Sequence, residues 1–247
     1  MRLIGNFYAY LWPGLTVAEM RRYGNNCNSY LVANGLLGGK HVLIDPGMEV
    51  NEAGQNCLGR LVSEMAKDGI KIEDTGLILN THAHPDHYGA SESIRKISGT
   101  QVAIGKGEEN LLKLAVDDTF RHMKNTDFQM PVINPDFYLV EGELRLGEHL
   151  FARIILTSGH SPGHLGIYWP EAKIFMAGDL IFNKSTGRVD IPGGNAEQLK
   201  ESIETVAGLD IEYLLTGHQY GSPGIIQGRQ QITDNFNFIR TQIYPLL

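Results

Sequence analysis

Four times in this chain an apolar run stops and hands over, within a few residues, to a histidine or an aspartate. The segments are Leu77-Ile78-Leu79-Asn80-Thr81-His82, Ile154-Ile155-Leu156-Thr157-Ser158-Gly159-His160, Ile174-Phe175-Met176-Ala177-Gly178-Asp179 and Tyr213-Leu214-Leu215-Thr216-Gly217-His218. Short continuous apolar runs read as strands covered on both faces, and such strands belong to layered α/β folds. In those folds sites gather beyond strand ends, where loops converge while the sheet holds them rigid. Glycine just before the polar residue, as at Gly159, Gly178 and Gly217, lets the backbone turn sharply. A fold that brings these four ends together is therefore expected.

The remaining punctuation supports mixed sheets. Ser29–Ala33 and His41–Ile44, separated by Asn34-Gly35 and Gly38-Gly39, read as a hairpin. Helices are expected over Gln55–Lys67, Gly89–Ile97, Gly107–Val116, Ala196–Val206 and Ile226–Ile243, with strands at Leu150–Leu156, Gly166–Trp169 and Lys173–Met176. Strands and helices alternate too irregularly for a simple doubly wound parallel sheet. No linker or low-complexity segment divides the 247 residues, so 1–247 is read as one domain, with 117–136 as an insertion or lid because of its weak periodicity and two prolines.

Composition removes several classes. The net charge is −7 and no basic cluster could neutralise a run of phosphates, so nucleic acid is not an expected partner. Cys27 and Cys57 form no C-x-x-C, which argues against a disulfide framework and a thiolate zinc ribbon and for a reducing, cytoplasmic setting. No apolar stretch approaches the roughly 20 residues of a membrane helix. A small-molecule substrate is expected, and self-association into a homo-oligomer is left open.

The chemistry concentrates in Thr81-His82-Ala83-His84-Pro85-Asp86-His87, three imidazoles and a carboxylate within six positions. Neutral imidazole and carboxylate oxygen are the donors a borderline cation such as zinc takes without a thiolate. In an extended segment His82 and His84 point the same way. Pro85 keeps His84 out of helical geometry, so the chain turns there and presents Asp86 and His87 from another direction. His82, His84 and His160 can then surround one ion and Asp86, His87 and His218 another, with Asp179 between them. Two divalent ions are expected, zinc first, with iron or manganese as alternatives. Ions about 3.5 to 4 Å apart could hold one hydroxide and polarise a carbonyl, and Asp86 is placed to orient that nucleophile. His41, His122 and His149 have no ligand neighbours and read as surface or capped residues, whereas His164 and Asp45 read as supports.

With these motifs in place the sequence resembles the metallo-β-lactamase superfamily, whose signature T-H-x-H-x-D-H is followed by a distant G-H, a G-D and a final G-H. The resemblance implies a four-layer αβ/βα sandwich of two mixed β-sheets with a metal centre at one edge. Thr157-Ser158-Gly159-His160-Ser161-Pro162-Gly163-His164, Gly178-Asp179-Leu180-Ile181-Phe182 and Gly187-Arg188-Val189-Asp190 are most similar to the glyoxalase II (hydroxyacylglutathione hydrolase) group. That similarity implies a bridging role for Asp179, a substrate-carboxylate contact for Arg188, and hydrolysis of a thioester, lactone or related carbonyl compound. The long helical region that follows the last metal histidine in that group has a counterpart of only 29 residues here, so a substrate smaller than a glutathione thioester is expected. In a lid over the site, Phe120, Met123, Phe128 and Met130 would favour an apolar acyl or ring group. The alternative activity within the same fold is persulfide (sulfur) dioxygenation on a single iron, against which the retained His218 counts.

Overall fold

The computed structural model describes residues 1–116, 132–147 and 150–247. Most of the 117–136 segment, including Phe120, His122, Met123, Phe128 and Met130, lies outside the described residues, as does His149. In the first half the chain runs through β1 (Arg2–Ile4), β2 (Phe7–Tyr10), α1 (Val17–Tyr23), β3 (Ser29–Val32), β4 (His41–Ile44), α2 (Cys57–Lys67), β5 (Thr75–Asn80), α3 (Pro85–Tyr88), α4 (Ser91–Ser98), β6 (Gln101–Gly105), α5 (Glu109–Val116) and β7 (Phe137–Leu139). Its strands form one sheet in the order β1-β2-β3-β4-β5-β6-β7. Pairing is antiparallel as far as β4 and parallel from β4 to β7.

The second half contains β8 (Gly142–Arg145), β9 (Phe151–Leu156), β10 (Leu165–Trp169), β11 (Ile174–Gly178), β12 (Ile181–Phe182), β13 (Ser185–Thr186), α6 (Ala196–Ala207), β14 (Tyr213–Thr216), β15 (Ile225–Gln227) and α7 (Arg229–Phe238). Its main sheet has the order β15-β14-β11-β10-β9-β8. Only β11 and β14 pair in parallel there; the other neighbours are antiparallel. Both sheets are therefore mixed, as expected.

Strand periodicity explains the layering. Val42, Ile44, Leu77 and Leu79 pack with Ile154, Ile174, Met176 and Leu215 in the core between the two sheets. The intervening residues face outward: Leu43 and Ile78 meet Leu61 and Met65 of α2 and Ile94 of α4. On the other side Ile155, Phe175 and Leu214 meet Leu199, Ile203 and Val206 of α6 and Ile232 and Phe236 of α7. Because successive residues alternate faces, a strand covered on both sides must be apolar at every position, and the helices are needed to cover the outer ones. The result is the four-layer αβ/βα sandwich.

Several elements differ from the sequence reading. Ile225–Gln227 is a strand paired with β14, and Gly228 (φ 95°) breaks the backbone before α7 begins at Arg229. Beyond Phe238 the helix widens into a π turn over Ile239–Ile243. The N-terminal hairpin β1–β2 and helix α1 were outside the sequence reading. Helix α1 starts with a capping box, in which Thr16 accepts from the Glu19 N–H and the Glu19 carboxylate accepts from the Thr16 N–H.

Candidate metal centre

The strand directions place every predicted ligand at one edge of the sandwich. Strand β9 is antiparallel to β10, which is antiparallel to β11, so β9, β11 and β14 all run the same way. Their C-terminal ends release His160, Asp179 and His218. From the other sheet, the parallel pair β4 and β5 releases Asp45 and the His82–His87 segment. Gly178 makes the turn before Asp179 at φ 47°, and a Cβ there would stand 2.7 Å from Thr81 Oγ1 and 2.8 Å from His164 Nε2. Only a residue without a side chain lets β11 approach the first loop this closely.

All seven predicted ligands come together. His82, His84 and His160 form one group, His82, His87 and Asp179 a second, and Asp86, His87 and His218 a third, with ligand atoms within 4.8 Å of one another in each. His160 Nε2 lies 2.9 Å from His84 Nδ1, and His87 Nε2 lies 3.2 Å from His218 Nε2. Asp179 reaches three of the rings, at 3.2 Å from His87, 3.4 Å from His218 and 3.6 Å from His160. Asp86 Oδ2 is 3.3 Å from His218 Nε2. Donors 2.0–2.1 Å from a tetrahedral cation stand about 3.3 Å apart, so these spacings suit shared ions.

Hydrogen bonds on the far side of each ring fix which nitrogen faces inward. The Thr81 hydroxyl spends its proton on Asp45 Oδ2 (2.8 Å), so toward His82 Nδ1 (3.0 Å) it acts as acceptor. His87 Nδ1 donates to Asp45 Oδ2 (2.9 Å), His160 Nδ1 to the Arg188 carbonyl (2.7 Å) and His218 Nδ1 to the Asn26 carbonyl (3.0 Å). Each of these four rings thus turns Nε2 to the interior, whereas His84 turns Nδ1. Such outer partners are what orient metal-binding imidazoles. His82 Nε2 is buried and has no hydrogen-bond partner among the described residues, a costly arrangement that a cation at this point would relieve.

The electrostatics fit the same occupant. Burial holds His82 well below its ordinary pKa and His84 down to about 3, so both are neutral donors at pH 7. His160 is also lowered, chiefly by burial. Burial opposes charge on His87 and His218 too, but Asp179, with Asp45 for the first and Asp86 for the second, overrides it. The outcome is a raised pKa for both, to about 9 at His218. Asp179 and Asp86 are held below the usual carboxylate range against their burial, Asp179 by His218 and His87, Asp86 by the His218 hydrogen bond. A buried knot of carboxylates demands positive charge, which protons meet in the metal-free molecule and divalent ions would meet otherwise.

The supporting residues are partly those expected. Asp45 accepts from Thr81 N–H (2.8 Å), Thr81 Oγ1 and His87, which fills both its oxygens. His164 accepts from the Asp179 N–H at Nε2 (3.1 Å) and bonds Thr157 Oγ1 through Nδ1 (2.8 Å), so neither nitrogen is left for an ion. Arg188 turns its side chain to the surface in an ion pair with Asp190 (2.8 Å) while its carbonyl holds His160. Sequence reasoning missed the Asn25-Asn26-Cys27-Asn28 segment. Asn25 Nδ2 donates to Asp86 Oδ2 (2.6 Å), and the Asn28 N–H donates to the Gly217 carbonyl (2.7 Å), clamping the last histidine loop. Three amides in four residues ahead of an apolar strand were the available signal. Tyr220, also missed, stacks on His218 (4.5 Å, 13°) and meets Phe182 edge-on (5.5 Å).

With fold and geometry established, residues 22–218 match the family model described as the metallo-beta-lactamase superfamily, and the chain belongs to that superfamily. A protein of Methanocaldococcus jannaschii described as a "Probable metallo-hydrolase" is 31% identical over 206 residues, covering 82% of this chain and 92% of that protein. A hydroxyacylglutathione hydrolase of Haemophilus influenzae is 28% identical over 167 residues, covering 66% of this chain and 71% of the relative. Among solved structures, a crystal structure of a protein in a di-iron-bound form aligns with TM-score 0.65 at 27% identity over 90% of this chain and 95% of that one. The superfamily consists generally of metal-dependent hydrolases acting on small molecules. No helix of the described residues is long and apolar enough to cross a membrane.

Proposed function

We propose that the protein is a dinuclear metal-dependent hydrolase of a thioester, lactone or related carbonyl compound. The observation that carries this reading is the set of overlapping ligand groups, with His82 and His87 each belonging to two of them. Two shared residues and a central Asp179 suit a pair of ions better than one. The likeness to a hydroxyacylglutathione hydrolase supports a carbonyl substrate, and the di-iron-bound neighbour supports a two-ion site while leaving zinc, iron and manganese all eligible.

Divalent ions in such a site supply Lewis acidity toward a carbonyl and lower the pKa of water to about 7. The chain's own residues do the rest. Asp86, whose Oδ2 accepts from Asn25 and faces His218, would orient the attacking water by accepting a hydrogen bond from it. Phe182 and Tyr220, beside His218, offer an aromatic wall for the acyl or ring portion. Arg188 at the surface is the proposed contact for a substrate carboxylate, in exchange for its pairing with Asp190.

The test joins elemental analysis of metal-replete protein to kcat/KM on S-lactoylglutathione, a simple thioester, a lactone and a persulfide. Two ions per chain with turnover of a carbonyl compound, better for the smaller compounds than for the glutathione thioester, is expected. One iron per chain with turnover of persulfide alone would replace this reading with the dioxygenase.

A further inference from the structure

Glu108 is fully buried, carries no role in the site described above, and yet joins the two loops that deliver the three-histidine group. Its Oε2 accepts from the Ala83 N–H at 2.7 Å, and Ala83 lies between His82 and His84. Its Oε1 accepts from the Gly163 N–H at 2.6 Å, in the loop that carries His160. The same loop is closed by Thr157 N–H on the His164 carbonyl (2.8 Å), so its ends cannot drift apart. One carboxylate thus spans the gap between a loop of the first sheet and a loop of the second.

The backbone is shaped to allow this span. Glu108 follows β6 in Gly105-Lys106-Gly107-Glu108, and this turn rests directly on Gly163. A Cβ on Gly107 would stand 2.7 Å from the Gly163 Cα, one on Gly105 would strike the Gly163 carbonyl oxygen, and one on Gly163 would strike the Glu108 nitrogen. Three glycines let two stretches of main chain touch, and the touching brings a carboxylate against two buried N–H groups that need acceptors. A structural filler would not require an ionisable side chain with both oxygens aimed at separate metal-bearing loops.

We propose that Glu108 is a positioning residue for the His82, His84 and His160 site, setting the separation of the two loops and so the affinity of one ion in preference to the other. The inference rests on the metal-centre reading given above. It makes Glu108 an outer partner that acts on the main chain of the ligand loops instead of on an imidazole. The link runs beside one main-chain bond between the same regions, Leu165 N–H to the Thr81 carbonyl (2.8 Å), which would remain when the carboxylate is removed.

Glu108→Gln keeps the shape but offers one acceptor oxygen and one NH2 group, so one loop must meet a donor where it had an acceptor. Zinc stoichiometry and affinity would be measured by competition with a chromophoric chelator on wild type, E108Q, H218A and E108Q/H218A. The expected result is that E108Q weakens one of two ions by about 10- to 100-fold, the range for outer partners of metal ligands. H218A should keep one tightly held ion, and the double variant should hold that ion about 10- to 100-fold more weakly. Thermal unfolding adds a second readout: E108Q should lower the midpoint more in the zinc-loaded form than in the metal-free form. Equal affinity of H218A and E108Q/H218A for their remaining ion, or equal destabilisation of loaded and metal-free protein, would overturn the proposal and leave Glu108 a structural clamp. Should E108Q not accumulate as folded protein, E108D, with both acceptors on a shorter stem, is read by the same measurements. Wild type that takes up no zinc, iron or manganese would refute the metal-centre reading itself, whereas wild type that binds metal with E108Q unaltered refutes only the role of Glu108.

Discussion

The two sheets supply the centre in different ways. From the first sheet come four candidate ligands on one continuous segment, His82, His84, Asp86 and His87, shaped by Pro85 and the short helix α3. From the second come three candidate ligands, His160, Asp179 and His218, each on its own loop and brought together by the pairing of β9, β10, β11 and β14. A contiguous segment can be held by bonds from its own sheet, as Asp45 at the end of β4 holds Thr81 and His87. Dispersed ligands depend on the register of a whole sheet and on links that cross to the other one. The dispersed half is therefore where a single substitution should do the most damage.

The largest effect is expected at Asp179, the dispersed residue that reaches rings from both sheets. Asp179→Asn should lose both ions and turnover by more than the 10- to 100-fold typical of an outer partner, whereas His218→Ala should lose one ion and keep the other. Elemental analysis of the two variants after identical loading decides it, and equal metal content would break the contrast. A smaller effect is expected from pH, through the protons that His87 and His218 share with carboxylates of both sheets. Their folded pKa values are raised, to about 9 at His218, so in metal-free protein the associated stability is fully present below the unfolded value near 6.5 and is lost as pH rises through about 9. Metal must displace those protons, so apparent affinity should climb between pH 6 and 8 by roughly tenfold per unit for each proton released. Zinc titrations at three pH values would show it; a flat profile would mean that the rings are already neutral. The smallest effect is expected at Arg188, whose side chain is exposed and paired at the surface. Arg188→Ala should leave metal content unchanged and shift stability by no more than about 0.5 kcal/mol, because the main-chain carbonyl that holds His160 is kept. A rise in KM for an anionic substrate with kcat retained would confirm its proposed contact, and steady-state kinetics measures both.

The same contrast explains what could be read from the sequence. His82, His84, Asp86 and His87 announce themselves because an ion demands donors and the segment concentrates them. Asp179 and His218 are legible for a second reason: each follows an apolar strand covered on both faces, whereas β9, which precedes His160, leaves Arg153 and Leu156 exposed against the expectation from its apolar run. The four layers follow from the same runs, since Val42, Leu43 and Ile44 can all be apolar only if both faces are covered. What stays hidden depends on tertiary contact. Asn25, Glu108 and Tyr220 resemble surface residues until the loops fold back, and strand β15 has an apolar composition that serves a helix equally well. The edge strands β1, β7 and β8 are short and half exposed, so they lack the apolar continuity that marks the central ones.

Because the candidate ligands are divided between the two sheets, bound ions would act as a clasp across one rim of the sandwich. Any free energy of metal uptake is also free energy that holds the two halves closed, and it grows with the ratio of free metal to its dissociation constant. A cell short of metal would therefore meet this protein in a looser form, in which loops at the unclasped rim open more often and present cleavable backbone. Scarcity would then be felt first as faster turnover of the polypeptide, before the arithmetic of empty sites alone would predict the loss of activity.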